Sequence, residues 1–136
     1  MNSKDIANAL KARLAGMADA PSIAWPGVDF AAGTVPRFEV AFSSRETDDP
    51  TIKGGTIHRE RGTMRVIICT PHGEGEDAGL DYLDAIRARF PKGLRIAITG
   101  GRITIMAEPT PDAAAFPDDY SYRLPVAIRY HAAATS

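Results

Sequence analysis

One cysteine, Cys69, stands among 136 residues, so no intrachain disulfide can form. A packed core must supply the stability, and a reducing compartment is the expected place of synthesis. No apolar run approaches the ~20 residues that a membrane-spanning helix needs. The start Met1-Asn2-Ser3-Lys4-Asp5 also lacks the apolar centre of a secretory signal. The expectation is a soluble protein made in the cytosol. An excess of one charge is missing too: 16 Lys and Arg stand against 17 Asp and Glu, with nine basic and eight acidic residues in 1–68 and seven and nine in 69–136. A dedicated nucleic-acid or membrane-surface binder would concentrate Lys and Arg on one stripe. The near-balance argues against both classes.

What is present is enough for one core. A chain of this length is one domain by size, and one near 150 residues buries roughly 70% of its unfolded surface. Residues 3–18 repeat apolar side chains at three- and four-residue steps through Ile6, Ala9, Leu10, Leu14 and Met17, which predicts a helix with one buried face, Ser3 as N-cap and a stop before Pro21. Ile23-Ala24-Trp25-Pro26 reads as a short extended piece. Period-two alternation then marks strands through Phe38/Val40/Phe42, Met64/Val66/Ile68, Leu94/Ile96/Ile98 with Ile103/Ile105/Ala107, and Tyr120/Tyr122/Leu124/Val126/Ile128/Tyr130. Gly100-Gly101 predicts a two-residue hairpin that pairs Thr99 with Arg102, Ile98 with Ile103, Ile96 with Ile105 and Leu94 with Ala107. Residues 77–90 read as a second helix with Leu80, Leu83, Ile86 and Phe90 inward, acids at its start, bases at its end, and Pro91 with Gly93 as the stop.

The order helix, strands, helix, hairpin, strand predicts an α+β domain, a mainly antiparallel sheet with two helices on one face. The last strand, 120–131, is long, and Pro125 inside it predicts an edge or a bulge. Arg123, Arg129 and His131 alternate on its second face, so a specific, charge-guided pairing with another chain stays open. Two stretches, 44–59 and 108–119, read as long loops; the second holds three prolines and four acids. Connections longer than about 12 residues are uncommon in compact domains, and are usually functional or disordered. The Ala-rich end, 132–136, reads as a frayed tail.

The chemical inventory is thin. Gly73-Glu74-Gly75-Glu76-Asp77-Ala78-Gly79 has the glycines of a phosphate-binding turn, but its three acids would repel a phosphate from the helix N-terminus. Cys69 and His72 form a Cys-x-x-His fragment, with His58 and His131 isolated and no second Cys, which is short of a paired-spacing zinc site. No Gly-x-Ser-x-Gly elbow occurs, and the acid pairs Asp48-Asp49 and Asp118-Asp119 sit where turns want Asp. The expectation is a protein without catalytic residues, cofactor or metal.

Taken in order, Ile23-Ala24-Trp25-Pro26, Arg61-Gly62 before Val66-Ile67-Ile68, Pro71-His72-Gly73-Glu74-Gly75 before a helix ending Phe90-Pro91, Gly101-Arg102-Ile103, and Tyr122-Arg123-Leu124-Pro125-Val126 resemble the tail-terminator-like family of long-tailed bacteriophages. The likeness runs from Ala7 to about His131. It implies a small α/β subunit that forms a homo-hexameric ring on the head-proximal end of the tail tube and stops polymerisation at the length set by the tape-measure protein. It further implies the tail tube protein and the head connector or stopper as partners, the tape-measure end as a neighbour, and double-stranded DNA only as a strand passing through the bore. Such a subunit is made in the host cytoplasm and ends at the tail-neck junction of the virion. Gly73, Gly75, Pro91 and Pro125 match recurrent positions as turn, stop and edge residues. Candidate assembly contacts lie in the two loops and the last strand: Arg45, Glu46, Asp48, Asp49, Lys53, His58, Arg59, Asp112, Asp118, Asp119, Arg123 and Arg129. Another neck protein, a head-completion or stopper subunit, is the alternative. A small cytosolic ligand-binding domain or hydrolase using a pocket near Trp25 and the His72 turn is a rival from a different class.

Overall fold

A computed structural model of the chain describes residues 2–26, 36–48, 59–71, 77–117 and 122–134. Among these residues the elements are α1 (Ser3–Ala15), β1 (Ser22–Ala24), β2 (Arg37–Asp48), β3 (Arg59–Thr70), α2 (Asp77–Arg89), β4 (Arg95–Ile98), β5 (Gly101–Ile105), β6 (Thr110–Pro111), β7 (Phe116–Pro117) and β8 (Tyr122–Ala134). The sheet order is β1-β2-β3-β8-β5-β4, with β6 and β7 also paired to β8. Only the β1/β2 pairing is parallel among those described. The expected α+β class, with a mainly antiparallel sheet and two helices, is what the chain forms.

Alternation builds one continuous apolar face. Phe38, Ile68 and Leu124 stand side by side across β2, β3 and β8, and Val40, Val66 and Val126 form the next row, followed by Phe42, Met64 and Ile128. Ile105 beside Tyr130 and Ile103 beside Ala132 extend it into β5. Both helices close over these rows: Ile6, Leu10 and Leu14 of α1 and Leu83, Ile86 and Phe90 at α2 join the same core cluster. Burial of each such side chain contributes about 1.5–3 kcal/mol relative to exposure. A T-shaped contact of Phe38 with Tyr82, 5.4 Å between centroids, ties α2 to β2.

Several local expectations are corrected. The N-cap of α1 is Asn2, whose side chain accepts from the Asp5 N–H at 2.8 Å, while Ser3 turns its hydroxyl to Glu60. Leu80 is exposed on α2, because Gly79 and Leu83 take the buried face at that level. The hairpin exists, but its loop is Thr99-Gly100: Ile98 pairs with Gly101 and Ile96 with Ile103. Gly100 supplies the one left-handed residue of this loop at φ 75°, and Gly101 is already a buried strand residue opposite Ala134. The slip is two residues, so every side chain keeps its expected face.

The predicted loops are shorter than expected, and the last strand is central. Arg45, Glu46 and Asp48 belong to β2, and Arg59 opens β3, so 44–48 and 59 are strand; residues 49–58 lie outside the described residues. Within 108–119, β6 and β7 add two-residue patches to β8. Ala132–Ala134 pair with β3 and β5, so they continue β8 where a frayed tail is expected. Thr135 and Ser136 lie outside the described residues. β8 itself runs between β3 and the β5/β6/β7 flank, which corrects the edge assignment drawn from Pro125. A strand residue points its N–H and C=O to the same side. The Pro125 carbonyl accepts from the Asp112 N–H at 3.2 Å, so the missing donor faces the interrupted β6/β7 flank and leaves the β3 ladder intact.

Candidate functional site

The same alternation that buries even-numbered residues of β3 and β8 sends the odd-numbered ones to the other face. There the register lines up charged side chains. Arg37, Cys69 and Arg123 share one row across β2, β3 and β8, and Glu39 stands two residues along. Glu39 collects them: Arg123 donates through Nη1 at 2.6 Å and Nη2 at 3.0 Å, Arg37 through Nε at 3.2 Å and Nη2 at 3.0 Å, and the Cys69 thiol at 3.2 Å. Burial alone would raise the Glu39 carboxyl, but donation from Arg123, Cys69 and Arg37 outweighs it and holds the group below its ordinary value. The Cys69 thiol moves the other way, pushed up to about 12 by burial and then by the adjacent Glu39. A thiol so placed is a packing residue and a poor nucleophile or metal ligand. The cluster locks three strands together and is a structural brace.

The opposite end of this face is different. Arg59, Arg61, Arg95, Arg102 and Arg129 are all exposed there, with His131 half-buried among them. Arg59 lies in line with Ala133 and Arg102, Arg61 with His131, Thr104 and Arg95, and Thr63 with Arg129. The acidic positions beside them are Glu46, opposite Arg61, and Asp48, opposite Arg59. Where β5 ends at Ile105, its neighbour Met106 stays 51% exposed and helps to line a groove of about 470 Å³ with Glu46, Arg61, Thr63 and Arg129. Met106 is thus an exposed apolar side chain bordered by charge of both signs.

Of the sequence-based candidates, the structure brings Glu46, Asp48, Arg59 and Arg129 onto this one end of the sheet. Arg45 lies at the register shift between Ser43 and Glu46. Arg123 is engaged by Glu39, and Asp112 by Arg65, whose Nε and Nη2 reach Oδ2 at 3.0 and 2.9 Å. Asp49, Lys53, His58, Asp118 and Asp119 lie outside the described residues, as do His72 and the glycines of 73–75. Arg61, Arg95, Arg102 and Met106 are additions; Arg95 lies between Leu94 and Ile96 of a predicted strand, so counting positions by face would have found it, whereas Arg61, between Glu60 and Gly62, precedes the strand predicted from Met64 and carries no such pattern. Trp25 packs against the core. Among the described residues no three His, Cys, Asp or Glu side chains converge as a metal site, and no helix is long and apolar enough to cross a membrane.

Comparison with known proteins agrees with the fold and supplies the family. A solved structure superposes with a TM-score of 0.75 at 20% identity, covering 100% of this chain and 99% of the other, which establishes the shared fold. No curated protein matches this sequence. The sequence model described as phage tail terminator protein matches residues 5–130, more than nine-tenths of the chain and every described element from α1 to the body of β8. The chain belongs to the phage tail terminator family.

Proposed function

We propose that this protein is a ring-forming subunit that caps the head-proximal end of a phage tail tube, ends its polymerisation and offers the surface on which the head connector docks. Family membership carries the coarser part, a structural role in a phage tail and a place in the virion. The finer part rests on one observation: the sheet buries one face under its helices and leaves a charged, groove-bearing end of the other face open. A subunit that repeats the tube's own contact on one side and lacks it on the other stops growth after binding. Identical subunits joined head to tail close into a ring when their rotation closes, which requires no cofactor and no chemistry. Self, tube protein and connector are the partners of this reading, DNA passes through the bore, and the subunit sits at the tail-neck junction after synthesis in the host cytoplasm.

Tail assembly with and without the protein tests it. Electron micrographs should show tubes of uniform length bearing the protein at one end, and overlong or headless tubes in its absence. Unchanged tube lengths without it would sink the terminator role, and a ring found against the portal would favour a stopper.

A further inference from the structure

Charge that cancels along the sequence is separated in space. Besides the arginine-rich end of the sheet, α2 presents Asp77, Asp81 and Asp84 on one exposed side, with exposed Leu80 among them. Positions three and four apart share a helix face, so the four side chains form one stripe. Leu80 also edges a shallow apolar groove with Gly79, Ala115, Tyr122 and Leu124. Each surface thus has an apolar centre, Met106 or Leu80, where one sign of charge predominates: the arginines outnumber the acidic positions Glu46 and Asp48 around the first, and the three aspartates outnumber Arg87 around the second. Asp84 lies 3.8 Å from Arg87, and no other ion pair of these three aspartates is formed among the described residues.

Position excludes pairing within one molecule. The acidic stripe lies near the Tyr122 end of β8, whereas the arginines gather near residues 129–133, about 25 Å away at the ordinary rise per strand residue. The two surfaces also belong to opposite faces of the sheet, since α2 covers the apolar rows and the arginines project from the other side. Two copies can satisfy both. From this complementarity we infer that the arginine face of one copy, centred on Arg61, Arg129 and Met106, docks the Asp77/Asp81/Asp84 stripe and Leu80 of a second copy, in a head-to-tail contact that repeats around an assembly. The inference rests on the ring reading above and names its subunit contact. Double-stranded DNA is the competing anion, but a phosphate backbone has no use for an apolar centre, and the chain already carries the acidic counterpart.

Charge reversal tests this with an internal control. Sedimentation velocity should show the wild-type protein as an oligomer, and both Arg61→Glu/Arg129→Glu and Asp81→Arg/Asp84→Arg as monomers with wild-type circular dichroism. An equimolar mixture of the two variants should reassemble, because each then offers the surface the other needs. The chain carrying all four changes should assemble alone. Reversal variants that assemble like the wild type, a folded pair that fails to restore assembly on mixing, or a wild type that stays monomeric would each overturn the inference. So would a monomer that binds double-stranded DNA through the same arginines. Should a reversal not fold, Arg61→Gln/Arg129→Gln and Asp81→Asn/Asp84→Asn carry the test, each expected to weaken self-association. Tube lengths separate the two proposals: assembly through this contact without any effect on tubes keeps the interface and rejects the terminator role. Reversal variants that still form rings and terminate tubes do the opposite.

Discussion

The Tyr130 hydroxyl donates to Glu60 Oε2 at 2.8 Å, and its ring occupies the space that a side chain at Gly62, directly opposite, would fill. Ser3 donates to the other oxygen of the same carboxylate at 2.6 Å, so α1 is pinned to the sheet through a buried acid satisfied on both oxygens. Glu60 therefore stabilises the fold from a position that the apolar alternation of β3 would assign to a hydrophobic residue.

Gly62→Ala should test the Tyr130 packing. The added Cβ would lie 2.7 Å from the Tyr130 hydroxyl, closer than real contacts allow, and a tight 3.0 Å from Cζ. Overpacking of this kind costs about 1–3 kcal/mol, which urea denaturation would resolve. Combining it with Tyr130→Phe removes the nearest clashing atom, so the double variant should lose less than the sum of the two singles. Strict additivity would show that the ring moves freely away from residue 62.

Acid should weaken the Glu39 brace. The folded carboxyl titrates below the ordinary value of 4.5, so its contribution is present above that value and is lost as pH falls through the lower folded pKa. Glu39→Gln should be less stable than wild type at neutral pH and should show a flatter decline below about pH 4.5. Parallel stability curves for the two proteins on acidification would assign the acid sensitivity to other groups.

Cys69 should be inert while the chain is folded. Its thiol is buried, donates to Glu39 and is raised to about 12, so almost no thiolate exists at neutral pH. Ellman's reagent should react slowly with native protein and at full rate in denaturant. Rapid labelling without denaturant would mean that the Arg37/Glu39/Arg123 brace opens readily.

Much of this fold is written in local pattern, and the exceptions have identifiable causes. The apolar rows of β2, β3 and β8, both helices and the hairpin follow from periodicity, because one buried face constrains every second or every third and fourth residue. Strand order does not. Nothing near Pro125 tells that β8 lies centrally, since its tolerance depends on β6 and β7, two-residue patches too short to leave a pattern. The candidate contacts share this difficulty. Loop and strand composition points to Asp112 and Arg123, which the fold engages with Arg65 and Glu39. The open arginines come from four strands, of which only β4 and β5 adjoin in sequence, and their clustering exists only after pairing. Near-balance of charge in each half of the chain is compatible with strong separation on the surface.

The two helices end in a reciprocal exchange that should be measurable. Arg13 Nε donates to the Arg89 carbonyl at 2.8 Å, and Arg89 Nε donates to the Arg13 carbonyl at 2.9 Å. Each guanidinium thus satisfies a carbonyl at the C-terminal end of the other helix, where the helix dipole favours a cation. The two cations oppose each other: burial, and then the charge of Arg89, lower the Arg13 pKa. Truncating one arginine therefore loses a charge-assisted hydrogen bond but relieves repulsion, and each single Ala variant should cost about 1–2 kcal/mol. The double variant relieves that repulsion only once and should cost at least the sum. A double variant markedly less damaging than the sum would show instead that the two bonds form and break as one unit, with the helix ends separating when either is lost.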